Sequence, residues 1–258
     1  MNYLRSELYR NLHSRGLKIA GVCMLGICVA VIGILTFFRQ IDTTFRYANW
    51  QYALSLFYCS AGSFLYLAVM LEYFIDNNEK KEQTVKHSLS FGITRKKIYA
   101  LRYVDAAAVS SVYFAVLGGS IALLTYVFLE PSDPKVWGYY GRMLLGIYPL
   151  LLGALALTHC FVMNMENANI SIVPVISILT VLPQVLEMAG MKFPFLAKIA
   201  RYMPNALAQM GIDMEGTGGL SFTWDTAAGI GKCWLVGIAW IVIFGLIGYF
   251  WYRKKEIK

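Results

Sequence analysis

The sequence contains few side chains of the kinds that enzymes use for acid–base or nucleophilic chemistry. Its three histidines are His13, His87 and His159. His159 lies inside an apolar stretch, where an ionisable side chain is a candidate functional group by default. The only acid that the sequence places near it is Glu166, about two helical turns further on. A catalytic pair would need other polar residues at the same depth, so we favour a packed, hydrogen-bonded histidine and predict no catalytic residue.

Cofactor and metal signatures are also weak. The stretch Gly229-Ile-Gly-Lys232 shares only part of a phosphate-binding loop, because its glycine spacing differs and no strand precedes it. The five cysteines all fall in apolar stretches without paired spacing, which favours packing residues over metal ligands; they are Cys23, Cys28, Cys59, Cys160 and Cys233. We therefore expect no cofactor and no metal on this chain. If ATP drives it, a separate subunit must hydrolyse the ATP.

A charged insert over residues 76–102 holds the strongest candidate for a binding surface. Its bases are Lys80, Lys81, Lys86, Arg95, Lys96, Lys97 and Arg102, and its acids are Asp76, Glu79 and Glu82. Apolar residues are spaced among these charges, with Val85 and Leu89 as candidate anchors for a partner and Lys86 and Arg95 as charged contacts around them. The alternative is a solvated basic loop that only fixes the orientation in a membrane.

Local signals within the insert predict a short helix, a break and the start of another helix. Glu79 and Glu82 fall in the first turn of the short helix, where they complement its dipole. Gly92 can adopt the positive φ that ends a helix, and Thr94 can cap the helix that follows. The insert thus has the form of a compact docking element for a soluble partner.

The positions that lack charge predict a membrane protein. The chain is 58% hydrophobic and only 15% charged, against about 25% charged in typical soluble domains. Runs without Asp, Glu, Lys or Arg cover 19–38, 47–71, 106–129, 143–165, 167–186 and 233–252. A helix needs about 20 apolar residues to cross a bilayer. We expect Glu72, Asp105 and Glu187 at the ends of these runs, within reach of the lipid headgroups.

We therefore predict a single all-α, polytopic transmembrane domain over 1–258. Its predicted spans are about 17–38, 50–75, 101–129, 140–163, 168–187 and 233–252, with span five bent by Pro174 and Pro183. Leu4, Leu8 and Leu12 form one helical stripe, which favours an interfacial helix over 1–16.

Most Lys and Arg residues lie in the termini and the insert, so the positive-inside rule places both termini and the insert in the cytoplasm. The net charge of +8 is mostly an orientation signal, and we expect no nucleic-acid partner.

The insert resembles the inner loop of permease subunits of ABC-2-type exporters, the group that includes bacitracin- and lantibiotic-resistance permeases. That loop usually reads E-x-x-x-G-T-x-K-x-x-L-S-x-G-[IV]-[ST]-R-x-x-I-Y-x-x-K. The residues that match are Glu79, Thr84, Lys86, Leu89, Ser90, Gly92, Ile93, Thr94, Arg95, Ile98 and Tyr99. Gln83 stands where glycine is usual, and Arg102 replaces a common lysine. Outside the insert, the similarity extends only to the layout of spans and loops.

The resemblance implies a coupling helix at Thr84–Ser90 that docks in a groove of a cytoplasmic ATP-binding subunit. The residues expected to take part in this ATPase coupling are Glu79, Thr84, Val85, Lys86, Leu89, Ser90, Gly92, Ile93, Thr94 and Arg95. It also implies a second permease, identical or homologous, and two ATP-binding subunits that hold ATP and Mg²⁺. The expected location is a bacterial cytoplasmic membrane, with membrane lipids as further partners.

The resulting hypothesis is an ATP-driven exporter that moves an amphipathic or lipid-like substrate out of the membrane. A peptide antibiotic is one such substrate, and its export would give resistance to antimicrobial peptides. The first alternative is a membrane scaffold or immunity protein that binds its target without transport. The second is an intramembrane enzyme built on His159 and Glu166.

Overall fold

The computed structural model describes residues 2–42, 44–82, 94–209, 211–212 and 220–254, which are almost entirely α-helical. The helices are α1 (Asn2–His13), α2 (Arg15–Ile41), α3 (Trp50–Cys59), α4 (Ser63–Glu82), α5 (Arg95–Phe128), α6 (Lys135–Asn164), α7 (Ala168–Ile176), α8 (Leu182–Gly190), α9 (Pro194–Ala200), α10 (Pro204–Ala208) and α11 (Ala227–Lys254). A π-helical turn, Ser177–Val181, joins α7 to α8, and a 3-10 turn covers Thr223–Asp225. The two-residue strands β1 (Gly211–Ile212) and β2 (Leu220–Ser221) pair antiparallel.

The prediction of an α-helical, multi-pass membrane protein is confirmed. Five helices in the described chain are long and apolar enough to cross a membrane: Arg15–Ile41, Arg95–Phe128, Lys135–Asn164, Ala168–Gly190 and Ala227–Lys254. A sixth span exists if the bent pair α3 and α4 crosses as one unit. The count is therefore five or six.

The predicted second span, 50–75, is not one straight helix. Between Cys59 and Ser63 the chain turns, and the direction of α4 is bent by 61° from that of α3. The turn uses bonds that reach back three residues instead of four, from the Ala61 amide to the Tyr58 carbonyl and from the Ser63 amide to the Ser60 carbonyl. At the same turn the backbone of Gly62 approaches the Asn205 side chain, since a Cβ on this glycine would lie 3.2 Å from Asn205 Oδ1.

The predicted fifth span, 168–187, continues to Gly190. It includes the π turn, which lies between Pro174 and Pro183. Pro183 is the second residue of α8 and follows the π turn directly, so the carbonyl that its N–H would otherwise bond has no donor from this residue. The two prolines therefore flank a change in the helical hydrogen-bond pattern, and the bend that the sequence predicts here stays a prediction.

Helix α6 lies at the centre of the bundle. It is the most buried of the span-length helices and packs most extensively against α11 and α4. Pro149 in its interior cannot donate a bond to the carbonyl of Leu145, four residues earlier. The indole Nε1 of Trp234, on α11, donates to this carbonyl instead, at 3.2 Å. A neighbouring helix thus satisfies the acceptor that the proline leaves open.

The contact between α6 and α11 is close because a glycine faces Pro149. A Cβ on Gly237 would lie 2.3 Å from the carbonyl oxygen of Pro149 and 2.8 Å from its Cβ. On α6, Gly153 in turn faces the backbone of Gly237. Small residues of this kind allow helix backbones to approach each other in lipid, where apolar side chains gain little by leaving the surrounding acyl chains.

We expect Gly237→Ala to lower the free energy of unfolding by about 1–3 kcal/mol, because the added methyl overlaps backbone atoms of α6. Thermal unfolding of the detergent-solubilised chain measures this change. Gly231→Ala, on the same helix, is the matched control, since a Cβ there meets no described atom within 4 Å. Equal stability of the two variants would contradict the packing described above.

Candidate functional site

The two helical arms of the charged insert belong to the described residues, and its middle does not. Helix α4 continues through Glu79 to Glu82, and α5 begins at Arg95. Seven of the predicted coupling residues lie outside the described residues: Thr84, Val85, Lys86, Leu89, Ser90, Gly92 and Ile93. The coupling helix at Thr84–Ser90 therefore stays a prediction.

Thr94 and Arg95 form the start of α5. Thr94 has the extended backbone of an N-cap residue, with φ −67° and ψ 145°, but its side chain makes no capping hydrogen bond. Thr94 therefore occupies the predicted N-cap position of this helix, without the side-chain bond that a capping threonine can make. Arg95 donates from Nη1 to the carbonyl oxygen of Arg253, at 3.2 Å. The second arm of the insert is thus joined to the end of α11.

A buried ion pair lies where the insert leaves the bundle. Nη1 of Arg102, on α5, is 3.8 Å from Oδ1 of Asp76, on α4, and their side chains are 5% and 3% exposed. The same guanidinium nitrogen is 3.4 Å from Sδ of Met163, on α6. These two residues are the first and last charges of the insert. Their pairing fixes the distance between its two ends.

A second buried pair joins α4 to α6. Nδ1 of His159 is 2.5 Å from Oε1 of Glu72, and its Nε2 is 3.2 Å from the carbonyl oxygen of Tyr99. The expectation of a packed, hydrogen-bonded histidine agrees with this geometry. The acid that contacts His159 is Glu72, on the neighbouring helix α4. Glu166 is an exposed residue that follows the end of α6. Glu166, the only candidate acid that the sequence offered, is therefore not the partner of His159.

The two hydrogen-bond partners of His159 indicate which ring nitrogen carries a hydrogen. A carbonyl oxygen is an acceptor only, so Nε2 must carry a hydrogen to bond Tyr99. Nδ1 can then donate to an ionised Glu72, or accept from a protonated one. In both cases the Glu72 carboxyl and the imidazole are joined by a hydrogen bond. This arrangement avoids the large cost of an isolated charge in an apolar interior.

Helix α1 is joined to α5 by buried polar contacts. The side-chain amide of Asn11 donates to Oδ2 of Asp105, and Arg10 pairs with Glu7 on α1 itself. Asn11 and Glu7 are only 2% and 5% exposed, so this part of the polar face of α1 lies against protein. Of the predicted stripe, Leu8 packs against the main core. The side chains of Leu4 and Leu12 lie outside the described residues.

The expectation that Glu72 and Asp105 reach the lipid headgroups is wrong. Their exposures are 2% and 1%, because each acid has a polar partner from another helix. Glu187, in contrast, is exposed on α8 and lines a polar pocket of about 290 Å³ with Gln184 and Asn205.

Together these contacts form one buried polar cluster on four helices. We define it as Asn11 (α1), Glu72 and Asp76 (α4), Arg102 and Asp105 (α5), and His159 (α6). Among the described residues, no group of three or more His, Cys, Asp or Glu residues could hold a metal ion. The geometry suits a rigid connection between helices, with the insert attached at its edge.

Spacing along α4 and α5 was the signal that could have revealed this cluster. Glu72 and Asp76 are four residues apart, and Arg102 and Asp105 are three apart, so each pair occupies one helix face. A charged face on each of two consecutive helices predicts that the two faces contact each other inside the bundle.

Comparison with known proteins gives no assignment: no protein-family model and no curated protein matches this chain. The resemblance to ABC-2-type permeases therefore depends on the insert residues quoted above.

We expect His159→Leu to lower the free energy of unfolding by about 3–5 kcal/mol, because it leaves the Glu72 carboxyl buried without its partner. The double variant Glu72→Leu with His159→Leu should recover most of this loss, since it removes both polar groups. Denaturation in detergent, followed by circular dichroism, measures both.

Glu166→Gln is the control, and its exposed position predicts a change within about 0.5 kcal/mol. If Glu166→Gln destabilises the chain as much as His159→Leu does, or if the double variant is less stable than either single variant, the pairing is incorrect.

Proposed function

We propose that this chain is the permease subunit of an ATP-driven ABC exporter, which moves an amphipathic or lipid-like substrate out of the membrane. ATP and Mg²⁺ would be bound by a separate cytoplasmic subunit, present in two copies. A second permease, identical or homologous, would complete the pathway. Both termini and the charged insert would face the cytoplasm, as the distribution of Lys and Arg predicts.

The observation that supports this proposal best is the buried ion pair between Asp76 and Arg102. An insert that only fixed the orientation of the chain in the membrane would not need an ion pair that holds its two ends together. Here the two ends are joined by opposite charges inside the protein, so a displacement of the insert must move α4 and α5 together. Separating the two charges in an apolar interior would be costly.

Contacts around this ion pair give a route from the insert to other spans. Arg102 also contacts Met163, and through it α6, the central helix. Asp105, one turn further along α5, bonds Asn11 on α1. Arg95 bonds the end of α11. A movement of the α5 start is therefore communicated by direct contacts to α1, α6 and α11.

The membrane-embedded fold and the resemblance support the proposed substrate class. The exposed surface of the described spans is mostly apolar. Such a surface suits a substrate that enters from the lipid phase. A peptide antibiotic with an apolar part belongs to this class, and its removal would give resistance.

We expect Leu89→Asp to abolish ATPase stimulation while the protein still inserts into the membrane, because a charge would replace an apolar contact of the coupling helix. The complex is isolated by a tag on this chain, its ATP-binding subunit is identified by its phosphate-binding loop, and ATP hydrolysis is measured with and without the chain.

Thr44→Asp is the matched control, since it adds the same charge at an exposed residue of the loop that the orientation places outside. Stimulation that survives Leu89→Asp would contradict coupling through the insert. If no ATP-binding subunit accompanies the chain, the non-transporting scaffold becomes the better interpretation.

We expect Asp76→Asn to reduce stimulated ATP hydrolysis by tenfold or more without dissociating the complex, because the subunit would still dock on an insert that no longer moves α4 with α5. The tenfold threshold corresponds to about 1.4 kcal/mol. Glu130→Gln is the control, as it breaks an exposed ion pair with Arg39 elsewhere in the chain. Loss of docking in Asp76→Asn, or unchanged hydrolysis, would argue against a mechanical role for the ion pair.

A further inference from the structure

An apolar groove runs along the outside of the bundle, at the junction of α5, α6 and α11. Its volume is about 310 Å³, and its walls include Tyr99, Tyr103 and Val104 on α5 and Ile241, Leu246 and Tyr249 on α11. Val104 and Leu246 are about half exposed, so the groove opens towards the surroundings of the helices. In a membrane those surroundings are lipid.

The groove has the length of a lipid chain segment. On α5 it extends from Lys96 to Val104, and on α11 from Tyr249 to Ile241. Eight residues of helix correspond to about 12 Å, while one leaflet of the hydrocarbon core is about 15 Å thick. An acyl chain that entered near Lys96 would therefore lie along the groove over most of its depth in one leaflet.

The volume of the groove argues against a helix as its occupant. An α-helix with its side chains is about 10–12 Å across, and a stable protein interface buries about 800 Å² on each partner. A groove of about 310 Å³ does not accept a helix, but it does accept a flexible hydrocarbon chain.

One end of the groove is basic. Lys96 lines it, and Arg253 follows Tyr249 by four residues, so both α11 residues share a helix face. Both basic residues are exposed. Arg95 draws the two helix ends together through its bond to the Arg253 carbonyl. The positive end of the α5 dipole lies at the same end, and no acidic residue lines the groove in the described chain.

We propose that this groove is a specific site for an acidic phospholipid. Its phosphate would lie between Lys96 and Arg253, and one acyl chain would fill the groove along Tyr103, Val104 and Leu246. A basic pocket between transmembrane helices is suited to an anionic headgroup. A zwitterionic lipid gains less from the two cations, because its own ammonium opposes them. This site goes beyond the proposed transport function and does not depend on it.

Native mass spectrometry of the full-length chain in detergent tests the proposal, since it resolves individual bound lipids. The probes are phosphatidylglycerol and phosphatidylcholine with the same acyl chains, added in equal amounts. We expect one lipid to remain bound at activation energies that remove the others, with phosphatidylglycerol strongly preferred. Each of Lys96→Gln and Arg253→Gln should weaken phosphatidylglycerol binding about fivefold.

A variant that fills the groove tests the contribution of the acyl chain separately from that of the two basic residues. A Cβ on Gly245, which lines the groove, meets no described atom within 4 Å, so Gly245→Leu should fold normally and fill the space that the acyl chain needs. It should remove the tightly bound lipid of either kind. Gly119→Leu is the control for the added bulk, because Gly119 is equally unobstructed in the described structure and does not line the groove. Lys192→Gln is the control for the lost charge.

Three results would overturn the proposal. The first is equal retention of the two lipids by the unmodified chain. The second is unchanged retention of phosphatidylglycerol in Gly245→Leu. The third is a dimer whose mass contains no lipid and that dissociates in Gly245→Leu, which would mean that a second copy of the chain occupies the groove.

Discussion

The bundle depends on the pairing of ionisable groups away from water. Every charge that α4 and α5 place in the interior needs a partner from another helix, because an isolated charge in an apolar medium costs far more than one contact returns. Glu72 meets His159, Asp76 meets Arg102, and Asp105 meets Asn11. These three contacts determine which faces of α1, α4, α5 and α6 point at each other. Apolar packing alone would allow many rotations of the same helices in lipid.

The sequence was informative about the existence of spans, and less so about their shape. Runs of 20 to 25 residues without charge require helices that cross a bilayer, and the described chain has five or six. The break near Gly62 gives no such signal, since Ser60, Ala61 and Gly62 are all common inside membrane helices. Its cause is tertiary, because the turn brings the chain beside Asn205, far away in sequence. The start of α5 at Arg95 agrees with the predicted cap at Thr94, and a turn with the buried Ile98 and Tyr99 precedes the charge-free run.

The candidate site was predicted in part. The charged insert was recognised from its composition, and His159 from its apolar context. The partner of His159 was not recognised, because a distance along the chain does not reveal which helices are neighbours in space. Glu72 and His159 are 87 residues apart along the chain, but Oε1 of Glu72 lies 2.5 Å from Nδ1 of His159. Arg102 was counted among the bases of the insert and as a replacement for lysine, but its buried partner Asp76 was not predicted. Its planar guanidinium suits the geometry found, since it can approach a carboxylate and a thioether at once.

The bond from Trp234 to the Leu145 carbonyl has a consequence for biosynthesis. While the ribosome is still making the second half of the protein, Pro149 leaves that carbonyl exposed within the membrane, and the indole that will satisfy it belongs to the final span. Until the helix that contains Trp234 is in place, this carbonyl needs another donor, such as water. A chain truncated before Trp234 would contain most of its spans and would leave the acceptor without its indole donor.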